Sequence, residues 1–111
     1  MFVTLQTDID TIKKAMNEIT GGKLNANQQA RWVANKESHA TSIQTTMAQY
    51  FITQRVKLGE AKDSPETYNK KLGLIHQVIV YAMKCKQTTD TANVELLSKA
   101  LAEFKTAYNK K

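Results

Sequence analysis

Leu5, Ile9, Ile12, Met16 and Ile19 recur at intervals of 4, 3, 4 and 3 residues. That rhythm places them on one face of an α-helix. It returns in Tyr68, Leu72, Ile75, Ile79 and Ala82, with a second stripe, Leu74, Val78, Tyr81 and Cys85, beside it. It returns again in Val94, Leu97, Leu101, Phe104 and Tyr108. Val78-Ile79-Val80-Tyr81 alone would suit a buried strand, but it lies inside a longer helical pattern and has no strand to pair with. The spacing therefore predicts an all-α fold, a bundle of four or five antiparallel helices. At 111 residues the expectation is a single helical domain over 1–111. A chain of this size buries roughly two-thirds of its unfolded surface.

The boundaries carry their own signals. Thr4 or Thr7 can cap the first helix, with Asp8 and Asp10 near its positive end. Gly21-Gly22 ends it. Asn25 followed by Gln28 reads as a capping box opening the second helix. That helix takes in Trp32 and Val33, then Ala40, Ile43, Met47, Tyr50, Phe51, Leu58 and Ala61. Unbroken from 27 to 62 it would be about 54 Å long, so a bend near 34–40 or a projecting N-terminal part is expected. Asp63-Ser64-Pro65-Glu66 starts the third, with Ser64 as cap and Pro65 at the first helical position. Asp90 or Thr91 caps the fourth.

Two stretches lack charge altogether. Residues 38–54 and 72–83 contain no Asp, Glu, Lys or Arg. Surface helices usually carry a charged face opposite the apolar one, and depletion of charge marks interface cores. The reading is a homo-oligomer that buries an extra face, with Ile43, Met47, Tyr50, Phe51, Leu74, Val78, Val80 and Tyr81 as interface candidates. Ile79 is expected near the centre of the core.

Catalytic chemistry is hard to find. Cys85 is the sole cysteine, which excludes a disulfide scaffold and any site built from several cysteines. His76 lies nine residues before it, on the opposite side of one helix, and nothing positions His39 against it. No metal-binding spacing occurs. Gly21-Gly22-Lys23 is followed by Leu24, where a phosphate loop needs Ser or Thr. Glu60 and Asp63 form an ordinary solvated carboxylate pair. No catalytic residue, metal or cofactor is therefore assigned, and the chain reads as a protein that is not an enzyme.

The net charge of +6 and pI near 9.5 favour attraction to phosphate. Only Arg31 and Arg55 are arginines, whereas base reading prefers the arginine fork. Arg55, Lys57, Lys70, Lys71, Lys84 and Lys86 are the candidate anion contacts. Lys84, Lys86, Lys105, Lys110 and Lys111 are expected to share a basic end. The N-terminus meets Asp8 without a basic run, so no secretory signal is expected. The apolar stretch 72–83 is shorter than the ~20 residues of a membrane span. A cytoplasmic location without membrane attachment is expected.

In size, basicity and helix pattern the chain is similar to many small accessory proteins of phages and mobile elements, such as immunity proteins and inhibitors of defence systems. The resemblance is one of style over the whole chain and assigns no residue. The reading that follows is a basic, non-enzymatic helical binding protein, an adaptor or inhibitor that docks a protein partner through charge-poor faces. The alternative is sequestration of an anionic ligand, a nucleotide or nucleic acid, by basic residues.

Overall fold

A computed structural model describes residues 1–110. The helices are α1 (Phe2–Thr20), α2 (Ala26–Thr45), a π-helical continuation (Thr46–Arg55), α3 (Leu58–Asp63), α4 (Pro65–Gln87) and α5 (Ala92–Asn109). No strand occurs among the described residues, so the fold is all-α as the spacing predicts. The four long helices run up and down in sequence around one core. Asp8 meets His39, Gln44 meets Ile79, and Phe2 meets Phe104 while Lys13 meets Glu95. Those pairings make each neighbouring couple antiparallel. The result is a rod of 55 × 21 × 21 Å.

The apolar faces meet as their spacing requires. Leu5, Ile9, Ile12 and Met16 of α1 are buried, as are Val94, Leu97, Leu101 and Phe104 of α5. The α4 face is rotated slightly from expectation. Leu74, Ile75, Val78, Ala82 and Cys85 are buried, whereas Leu72 and Ile79 only pack against the core from its edge. Val78, not Ile79, holds the deep central position.

Most boundary signals work locally, with three corrections. Asn25 and Gln28 form the reciprocal capping box, and Gly22 takes the left-handed conformation after α1, at φ 71°. However, α1 begins at Phe2, before either threonine, and Thr7 donates back to the Val3 carbonyl. Asp8 lies in the second turn and is buried, so it does not serve the helix dipole. Ser64 and Thr91 stand at cap positions without a side-chain cap bond; Asp90 instead accepts from the Ala92 N–H.

The long second segment does not bend at 34–40. Its helix is continuous there, with Lys36 and Ala40 both buried. It loosens further on. From Thr46 the backbone bonds reach five residues back, and the Val56 N–H closes on the Phe51 carbonyl at 2.9 Å. A π-turn holds more residues than an α-turn, so burial after Met47 falls at Phe51 and then Val56. Val56 and Lys57 are extended and stop the helix. The core stripe does not extend to Leu58, which is 84% exposed.

Burial also relocates the charge-free residues. Ile43, Met47, Phe51, Leu74 and Val78 are in the chain's own core. Their apolar surface is already covered, which corrects their reading as contacts for a second chain. Tyr50, Val80 and Tyr81 remain half-buried. Window 38–54 is uncharged because its outward positions carry Ser, Thr and Gln, which stay exposed in the single chain.

Candidate functional site

The end of the bundle where α1 begins gathers aromatic rings and cations. Phe51 lies edge-on to Phe104 and Tyr108, with centroids 4.9 and 5.2 Å apart, and Tyr50 lies edge-on to Phe51. Phe2 closes the cluster against all three of Phe51, Phe104 and Tyr108. The π-turn brings Tyr50 and Phe51 to this cluster together. Arg55 Nε donates to the Tyr108 hydroxyl at 2.9 Å while its guanidinium lies near the Tyr50 ring. The hydrogen bond to Tyr108 raises the Arg55 pKa above its ordinary value. Lys71 lies near Tyr108 and Lys105 near Phe2, each at cation–π distance.

The expected anion contacts are dispersed. Arg55, Lys70 and Lys71 share this end, but Lys71 is buried and donates to Glu60 at 2.8 Å, so its charge is already paired. Lys57 lies just before α3. Lys84 and Lys86 belong to the last turn of α4. Because α4 and α5 are antiparallel, those two lie at the opposite end from Lys105 and Lys110. The single basic end is therefore corrected; Lys111 lies outside the described residues.

Two polar clusters between the helices went unseen in the sequence. Asp8 is 6% exposed, and its Oδ1 is 2.7 Å from His39 Nδ1 across the α1–α2 seam. Lys36 is 3% exposed, and its Nζ donates to the carbonyls of Lys86 and Thr88 where α4 ends. A cation there satisfies acceptors that the helix leaves free and faces its negative end. Burial lowers the Lys36 pKa below its ordinary value, partly offset by Glu37 and Cys85. A signal for Lys36 existed: residues 36, 40, 43, 47 and 51 form a single helical stripe with the lysine at its head. His39 and Asp8 each adjoin such a stripe without belonging to it.

Cys85 is fully buried. Burial pushes its thiol up from 9.0 to about 11, with Lys36 pulling modestly the other way. Folding thus favours the neutral thiol. Stability from this group is complete below pH 9 and is lost as pH rises toward 11. The difference corresponds to no more than roughly 3 kcal/mol. Lys36 acts oppositely, since a lowered ammonium pKa makes stability rise with pH below 10.5. Denaturant unfolding of wild type and Cys85→Ala between pH 8 and 11 separates the two. The wild type is expected to lose stability more steeply, and parallel curves would contradict the assignment.

Residues 3–111 match the family profile described as nickel-containing superoxide dismutase. The chain belongs to this family. No protein of curated function and no solved structure matches the chain. The family is one of enzymes, and its match overturns the reading of a non-enzymatic adaptor or inhibitor, together with the alternative of anion sequestration. The likeness in style to phage accessory proteins gives way to a match across almost the whole chain.

The family's name implies nickel, and the residues described here do not fit it. Thiolate sulfur, imidazole nitrogen and other N and O donors are the groups that hold such a metal, and each must shed its proton to bind. The sole cysteine is sealed in the core as a thiol. His39 has Nδ1 committed to Asp8, and His76 stands on the exposed face of α4. No group of three or more His, Cys, Asp or Glu side chains could close on an ion among the described residues. No helix among the described residues is long and apolar enough to cross a membrane.

Proposed function

We propose that the chain takes part in superoxide disproportionation as the helical body of a nickel-containing superoxide dismutase. The observation that carries this is the family match over residues 3–111. In that reaction one superoxide gives up an electron to become dioxygen. A second accepts the electron and two protons to become hydrogen peroxide. The chain's contribution, on this reading, is a rigid bundle and a field. Superoxide is an anion, and a net charge of +6 raises its local concentration around the molecule. Because the described residues offer no nickel site, no catalytic step is assigned to any of them.

The same reading takes the active protein as a homo-oligomer. Tyr81 and Val80 are half-buried on α4, while Met83 and Leu96 are 40% and 42% exposed on α4 and α5. These side chains give a second copy something apolar to cover. A cytoplasmic location remains part of the proposal.

Native gels of source-cell extract, stained for superoxide removal and probed with an antibody to this chain, test both parts. An active band that carries the chain, runs above the 12.5 kDa monomer and disappears with the gene is the expected result. An antibody-reactive band without activity would overturn the enzymatic reading. An active monomer would overturn the oligomeric one.

A further inference from the structure

We infer that the described residues, 1–110, contain no nickel centre and that the bundle folds without the metal. The inference rests on the superoxide reading only for the claim that nickel is used at all.

The argument is one of donor chemistry and packing. Cys85 is 0% exposed, on the face of α4 that also buries Ala82 and Val78. Bringing its sulfur to a metal would require opening that face. Of the two buried polar features, Lys36 Nζ satisfies the end of α4, and Asp8 Oδ1 engages His39; Asp8 Oδ2 has no hydrogen-bond partner, but no third His, Cys, Asp or Glu among the described residues joins the pair to close on an ion. The aromatic end offers rings, hydroxyls and cations, none of which is a good ligand for nickel(II). Glu60 at that end is held by Lys71 at 2.8 Å. The core, by contrast, is complete without any ion. It runs from Leu5 to Ala107 through every long helix. A fold that depended on a structural metal would show ligands where this one shows apolar packing.

The test uses the 111-residue chain purified under reducing conditions. Nickel(II) is titrated in, and three quantities are read: metal retained through gel filtration, near-ultraviolet sulfur-to-nickel absorbance, and the melting temperature with nickel or with chelator. Expected are well under one retained nickel per chain, no sulfur-to-nickel band, and the same melting temperature in both conditions. One retained nickel per chain, with a band that Cys85→Ser abolishes, would overturn the inference. So would a chain that melts only when nickel is present and is unfolded in chelator. Either result would leave the superoxide reading standing. Absence of activity in the source-cell protein would instead remove that reading and leave the inference untouched.

Discussion

Val78→Asp is expected to abolish the folded state. Val78 is fully buried on α4, in the core cluster shared with α1, α2 and α5. Replacing it forfeits about 1.5–3 kcal/mol of apolar burial. It also leaves a carboxylate without a partner in an apolar site, which costs several kcal/mol more unless the group takes up a proton. Together these approach the ~5–15 kcal/mol by which domains are stable. Circular dichroism at 25 °C should show a largely unfolded chain. Gln77→Asp, one residue earlier on the exposed side of the helix, should melt close to wild type. A cooperative wild-type melt for Val78→Asp would show that the core is centred elsewhere.

Phe51→Ala is expected to cost about 3–5 kcal/mol, the usual loss for truncating a buried aromatic. Phe51 is 1% exposed and touches Phe2, Tyr50, Phe104 and Tyr108, so its removal opens a cavity shared by α1, the π-helical continuation and α5. Each kcal/mol lowers the melting temperature by roughly 4–8 °C in a domain of about this size. Because Phe51 sits in the π-helical continuation, the same substitution should loosen that segment first. Hydrogen exchange over residues 46–56 should therefore rise more than over α1. The edge-to-face geometry with Phe104 adds a coupling of about 0.5–1.5 kcal/mol, readable in a double-mutant cycle with Phe104→Leu. A drop under about 1 kcal/mol for Phe51→Ala would contradict the packing of this end.

The architecture was legible because three of the four long segments obey one rhythm. Leu5 to Met16 and Val94 to Phe104 sit where their spacing places them. The Asn25–Gln28 box closes as its residues dictate. What failed has a common physical origin. Tertiary contacts turned α4 so that Val78 rather than Ile79 faces inward, and the π-helical turns changed the period after Thr46. A window free of charge does not by itself mean cover on two sides, because Ser, Thr and Gln stand comfortably in water without charge; it is the family match that removes the docking function. The buried Lys36 and Asp8 were missed because each sits within or beside an apolar stripe, where a charged residue is read as an interruption. Enzyme membership was not legible at all. No residue in this chain forms a metal-ligand spacing, and the family signal is spread over residues 3–111 instead of being concentrated in a motif. The misfit between nickel and the described residues is consistent with that silence.

The most direct test of this account uses the protein isolated from its source cells. Nickel content and superoxide decay are measured together, for wild type and for Cys85→Ser introduced in place. The account predicts the same nickel content and the same rate of superoxide removal in both, because Cys85 is core packing and holds no metal. Nickel and activity lost together in a folded Cys85→Ser protein would contradict it.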